Sequence, residues 1–247
     1  MNKHNPLIKA LSITLVSFVP VAALAQQLPN IQQTSQRAPA GIKIDGKPSE
    51  WHNKFGAYNK NTGIFYTIAN DDDNLYLIIK AANKAIIYNG GFTFTVNQPG
   101  KKEDKQGIGI TYPVFNSDNE FRVNINNKPA IIPGSASSIM KADSFMNANN
   151  EQLAAKTKGI RVTGIKGVKL LIPAENEYGI KAAALFDNQM AYIMEIAIPL
   201  RYMYSSAIDP ANFVYHVQLN QIKEAGPGMQ GLMPIADFWG EYAWAKK

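Results

Sequence analysis

"IFYTIANDDDNLYLIIKA", residues 64–81, decides how this chain is read. In its first half Ile64, Tyr66 and Ile68 share one face, opposite Phe65, Thr67 and Ala69. In its second half Leu75, Leu77, Ile79 and Ala81 share a face, opposite Tyr76, Ile78 and Lys80. A period of two marks strands, because successive side chains point to opposite faces. Between the runs stand Asp71, Asp72, Asp73 and Asn74, whose short side chains accept bonds from nearby backbone amides and so favour turns. A loop of three to five residues between two strands is hairpin geometry. The stretch therefore predicts an antiparallel hairpin with the aspartates at its tip. Adjacent carboxylates are also the hard oxygen ligands that calcium takes, so Asp71, Asp72 and Asp73 are the candidate metal residues, although they lack the Gly and Glu of a calcium-hand loop. A catalytic glycosidase pair must flank its substrate from separate positions, which three neighbours on one turn do poorly.

The same alternation recurs outward from this hairpin. Phe92, Phe94 and Val96 alternate with Thr93, Thr95 and Asn97, and Phe121, Val123 and Ile125 with Arg122, Asn124 and Asn126. Ile160 and Val162 flank Arg161, with "VKLLIP" following across a Gly-containing turn. Met190, Tyr192, Met194, Ile196 and Ile198 line one face of a long strand, and Tyr215, Val217, Leu219 and Gln221 another. Aromatic and β-branched strands separated by Gly, Pro and Asn turns predict antiparallel sheet, and two sheets packed face to face hide both apolar faces. The expected fold is all-β, an antiparallel β-sandwich of jelly-roll type with one short helical excursion. That excursion is residues 137–156, where β-branching is scarce but an Asn-rich middle weakens the helix. "RYMYS" after Pro199 adds a turn.

The first 25 residues stand apart. Lys3, His4 and Lys9 precede or enter the apolar run "ALSITLVSFVPVAALA", which ends in Ala23-Leu24-Ala25. This predicts a secretory signal peptide, residues 1–25, cleaved before Gln26. The run is short for a membrane span of about 20 residues, so no stable membrane anchor is expected after its removal. Export to the periplasm or the outside follows as the expectation. Residues 26–40, rich in Gln, Pro, Ser and Thr, read as an extended leader, and 41–247 as one sandwich domain. The chain has no Cys, which removes disulfides, thiol nucleophiles, Cys-ligated zinc and covalent haem. Without the signal peptide the net charge falls from +6 to +4. Its basic residues are spread out, apart from "GKKEDK" (100–105), where Glu103 and Asp104 interrupt them; a nucleic-acid protein concentrates positive charge, so this argues against nucleic acid.

Little material for catalysis remains. Only His52 and His216 follow the signal peptide, and there is no His-Glu-x-x-His pair, Gly-x-Ser-x-Gly elbow or Walker loop. The expectation is a non-catalytic protein. Binding has better material. Trp and Tyr offer broad faces with a polar edge, and "DFWGEYAWAKK" (237–247) supplies Trp239, Tyr242 and Trp244. "HVQLNQIK" (216–223) puts His216, Gln218 and Asn220 on one strand face. These six are the candidate ligand-binding residues, suited to a glycan or small polar ligand. A plain solvent-facing strand and a closing strand of the sheet are the competing readings of the same residues.

"IKIDGKPSEWHN" (42–53), the Asp-rich hairpin, and "AYIMEIAIPL" (191–200) occur in an order that resembles domains like the family 9 carbohydrate-binding modules, related to the DOMON group. The resemblance implies a β-sandwich that binds sugars, or b-type haem in some relatives, often with calcium as a structural ion. It implies structural roles for Asp45, Gly46, Glu50, Trp51, Asp72, Asn74, Leu75 and Tyr76, and Glu195 reads as a paired structural carboxylate within its strand. The two Trp residues that clamp sugar in typical members have no match here. For haem, Met190 and Met194 read as core, while Met229 and Met233 lie in a Gly/Pro-rich loop. A scaffold sandwich that works only through its surface is the remaining alternative. The oligomeric state is not encoded legibly.

Overall fold

The computed structural model describes residues 28–81, 91–100, 107–115, 123–124, 126–205, 211–220 and 237–246. In chain order the elements are β1 (Ala57–Asn59), β2 (Ile64–Asn70), β3 (Asn74–Ala81), β4 (Phe92–Asn97), β5 (Ile108–Phe115), α1 (Ala136–Lys156), β6 (Thr157–Thr163), β7 (Leu171–Ile172), β8 (Lys181–Phe186), β9 (Tyr192–Pro199), α2 (Leu200–Ser205), β10 (Asn212–Leu219) and β11 (Asp237–Ala243). They build two antiparallel sheets. One has the order β1-β2-β3-β9-β8, the other β11-β10-β4-β5-β6-β7. The all-β sandwich expected from the alternation is the fold observed. Among the described residues no helix is long and apolar enough to cross a membrane.

The hairpin over residues 64–81 forms as its pattern dictates, with Ile64 opposite Ala81 and Asn70 opposite Leu75. Its inward set, Ile64, Tyr66, Ile68, Leu75, Leu77 and Ile79, meets Phe92, Phe94, Val96, Tyr215 and Val217 of the other sheet in the main core. Each such apolar side chain contributes about 1.5–3 kcal/mol when fully buried. Most of the outward set is buried too: Thr67, Ala69, Tyr76 and Ile78, with Phe65 and Lys80 half-buried. Trp51 lies over Ala69, Tyr76, Ile78, Ile193 and Ala197, with Ile42, Ile44 and Phe55 beside it. The chain before β1 therefore acts as a strap across the five-stranded sheet, and β9 is buried along its whole length.

The structure pins residues 28–40 to both sheets. The Gln32 side chain donates to the Ile68 carbonyl (2.7 Å) and accepts from its N–H (2.8 Å). Gln32 N donates to Tyr66 Oη (2.9 Å), which lies 2.8 Å from Tyr215 Oη across the sandwich. Arg37 bridges to Asn70, and Ser35 Oγ donates to the Ala243 carbonyl.

The helix expected over 137–156 forms as α1, capped by Ser135, whose side chain accepts from Ser138 N. It buries Ser138, Ala142, Met146, Asn149 and Leu153, one stripe at three- and four-residue spacing. Its asparagines grip backbone. Asn150 donates to the Phe186 carbonyl (2.9 Å) and accepts from the Phe186 N–H (2.8 Å), on β8, the last strand of its sheet. Asn149 accepts from Asn124 N at 2.6 Å. Of the strand expected around Phe121–Ile125, Phe121, Arg122 and Ile125 lie outside the described residues, and Val123 is buried without belonging to a strand.

Candidate functional site

The outer face of the six-stranded sheet carries a set of polar and aromatic side chains. Phe213, Tyr215, Val217 and Leu219 point inward from β10, so Val214, His216 and Gln218 point outward. From β11 the outward residues are Asp237, Trp239 and Glu241. Strand register then sets two transverse rows. In one, Trp239 pairs with His216, His216 with Thr95, Thr95 with Gly109, and Gly109 with Thr163. In the other, Asp237 pairs with Gln218, Gln218 with Thr93, Thr93 with Thr111, and Thr111 with Arg161.

The rows are preorganised. The His216 and Trp239 rings stack with centroids 4.0 Å apart and planes 2° from parallel. His216 Nε2 is hydrogen-bonded to Asp237 Oδ1, and only 13% of the imidazole side chain is exposed. A ring held on one side by a carboxylate and on its face by an indole has little freedom to turn. Thr93 Oγ1 donates to Asn220 Oδ1 (2.7 Å) and lies 2.8 Å from Thr111 Oγ1, which serves it as donor. Gly109 leaves a dip between Thr95 and Thr163, since a Cβ there would come within 2.4 Å of Thr163 Oγ1. Gln218, Asp237, Thr163 and Arg161 are exposed, so this half of the face is open, whereas Val214 and Asn97 are buried.

Four of the six sequence-derived ligand residues meet here: His216, Gln218, Asn220 and Trp239. Tyr242 and Trp244 do not join them. Tyr242 faces the core, 3% exposed, with Oη within 3.2 Å of Gln36 N, 3.0 Å of Gln36 O and 3.1 Å of Asn70 Oδ1. Burial pushes its hydroxyl up to about 12. Trp244 packs on Phe213 (4.9 Å) and Tyr242 (6.3 Å). Tyr242, an even-numbered residue on β11, cannot share the face of odd-numbered Trp239, and Trp244 lies past the end of that strand. The residues that sequence reasoning missed are Thr93, Thr95, Thr111 and Arg161. Their outward parity was legible, but their register against β10 was not.

The aspartates of the hairpin diverge. Asp71 Oδ1 accepts from Asp73 N (2.8 Å) and Asn74 N (2.7 Å), and its Oδ2 accepts from Tyr76 Oη (2.7 Å). Asp72 pairs with Arg37 at 3.0 Å. Asp73 is exposed, and its carbonyl accepts from Leu200 N. Among the described residues no three His, Cys, Asp or Glu side chains gather in a metal-holding group. The turn accounts for where Asp71 points with no ion.

Glu195 is fully buried, and its carboxylate accepts from Trp51 Nε1 (2.8 Å), Gly46 N (2.8 Å) and Asp45 N (3.1 Å). Those bonds tie the strap to β9, which gives Asp45, Gly46 and Trp51 a structural role. Met190 and Met194 are core residues, while Met229 and Met233 lie outside the described residues. A second concavity, a cleft of about 390 Å³, opens between the strap and the β3-β9-β8 face. Lys43, Asn74, Tyr76, Glu175 and Lys181 are among its lining residues. No protein-family model matches the chain, and no curated protein matches it.

Proposed function

We propose that this protein is an exported, non-catalytic binding protein, related to the family 9 carbohydrate-binding modules, that holds a carbohydrate on the outer face of its six-stranded sheet. One observation carries the reading: the Trp239–His216 stack, clamped by Asp237, stands in register with the hydroxyls of Thr95 and Thr163 and beside a second row that carries Gln218, Thr93 and Thr111. A sugar offers a flat C–H face and a rim of hydroxyls. A broad aromatic surface takes the first, and donor–acceptor groups such as Thr hydroxyls and the Gln218 carboxamide take the second. Rings already held in place lose little entropy on binding, which favours affinity.

The test is thermal melting of the protein against a panel of neutral and acidic oligosaccharides. A ligand that binds only the native state raises the melting temperature by mass action. A bound sugar is expected to raise it by several degrees at saturation. Trp239→Ala is expected to weaken binding by roughly 1–2 kcal/mol through the lost aromatic face, and Gln218→Ala by about 1 kcal/mol. Binding unchanged in both variants would move the site away from this face, with the cleft beside Lys43 and Lys181 next to be mutated.

A further inference from the structure

We infer that the ligand is an acidic oligosaccharide laid across the strands, with a carboxylate at Arg161 and a sugar ring against the Trp239–His216 pair; this rests on the carbohydrate reading of the same face. The two rows have a polarity. At the β11 end stand Asp237 and Glu241, both exposed, and at the β6 end stands Arg161, also exposed. The side chains between them on the Asp237–Arg161 row, Gln218, Thr93 and Thr111, are neutral. Arg161 has no ion pair among the described residues. Asp237 engages His216.

A negative ligand group is therefore repelled at one end and attracted at the other. Guanidinium presents a planar fork that matches a carboxylate in two parallel bonds. A uronic acid keeps the ring C–H faces that stack on an aromatic plate while adding that carboxylate. Length follows from strand spacing. From β11 to β6 there are four intervals of about 4.8 Å, roughly 19 Å in all, which is about three to four linked pyranose rings. Short sugars can reach the aromatic plate or the arginine but not both. Linking the two contacts makes the second effectively intramolecular, so affinity rises steeply once the ligand spans them.

Isothermal titration with the dimer and tetramer of a neutral glucan and of a galacturonan tests this, in chelator so that calcium bridging between uronates plays no part. The acidic tetramer is expected to bind about tenfold more tightly than the neutral tetramer, a difference of about 1.4 kcal/mol. It is also expected to exceed the acidic dimer by at least as much. Arg161→Gln should abolish the acid preference, bringing the acidic tetramer to about the affinity of the neutral one. The variant's melting temperature reports that it is folded. Trp239→Ala should weaken both tetramers. Equal affinity for the two tetramers overturns the acidic ligand and leaves the carbohydrate reading standing. An acid preference that survives Arg161→Gln overturns the placement of the carboxylate. Absence of binding by all four sugars overturns both readings.

Discussion

Glu195 shows how far a single residue can be read. Its place inside "AYIMEIAIPL" announces a carboxylate that needs partners, since an unpaired buried charge is costly. The partners themselves, Trp51, Gly46 and Asp45, lie about 145–150 positions away in sequence and were legible only as a motif. Burial pushes the Glu195 carboxyl up to about 7, against the downward pull of those three N–H donors; the nearby Asp45 charge adds a smaller upward push. The unfolded chain titrates near the ordinary 4.5. Between these values the folded state keeps a proton that the unfolded state has released. This group's contribution to stability is therefore greatest below about pH 4.5 and falls as pH rises to about 7. At 1.36 kcal/mol per pKa unit the full change is on the order of 3 kcal/mol. Glu195→Gln cannot ionise, and its amide nitrogen must face N–H donors, so it is expected to cost about 1–3 kcal/mol at acid pH. It should also lack this fall across pH 4.5–7. Urea unfolding of both proteins at several pH values isolates the effect as their difference. Parallel pH profiles would show that Glu195 does not titrate in this window. Trp239 and Tyr242 give the converse lesson: neighbours in sequence, they are split by strand parity, and only the strand assignment reveals it.

At the scale of elements, the structure departs from local pattern where one element serves another. The asparagines near the middle of α1 lower its intrinsic helix propensity, yet Asn150 provides β8 with the bonding of an absent neighbouring strand. Gln32 does the same for Ile68 on β2, beyond the end of β1. A carboxamide carries one donor side and one acceptor, as a peptide unit does, so it satisfies an edge without extending the sheet and blunts a site of edge-to-edge pairing. Long alternating strands such as β2, β3, β9 and β10 were legible. β8, "KAAALF", was not, because it lacks β-branched residues, and the three-residue β1 is too short to show a period. Asn150→Ala leaves the Phe186 N–H and carbonyl without this partner and is expected to cost about 1–2 kcal/mol. Glu151→Ala, at the next and exposed position, should stay within about 0.5 kcal/mol. Chemical denaturation midpoints compare the two. Equal, small effects would show that water replaces the Asn150 clamp at no cost.

For the whole molecule, face alternation made the sandwich legible, because two apolar sheet faces have few ways to hide. It could not show which segment covers the outside of the five-stranded sheet. Residues 28–40 have the polar, Pro-containing composition of a leader, and composition carries no trace of bonds closed over more than 200 residues. Those bonds join the first described segment to the last strand: Ser35 to the Ala243 carbonyl and Gln36 to Tyr242. They also join it to the hairpin: Gln32 to Ile68, Ala38 N to the Asn70 carbonyl, and Asn70 N to the Gln36 carbonyl. Several are buried, and a buried group that loses its partner costs about 1–3 kcal/mol. Deleting residues 28–40 is expected to remove on the order of 5 kcal/mol, comparable to the whole stability of many domains at 5–15 kcal/mol. Because the leader supports β11 from the side opposite Trp239, sugar binding on the outer face should weaken in the same variant. Circular dichroism melts of the intact and deleted chains decide the first point, and titration with the tetramers decides the second. A cooperative melt within about 2 °C of the intact chain, where 1 kcal/mol corresponds to about 2–4 °C for a chain of this size, would make these residues a dispensable tether rather than part of the fold.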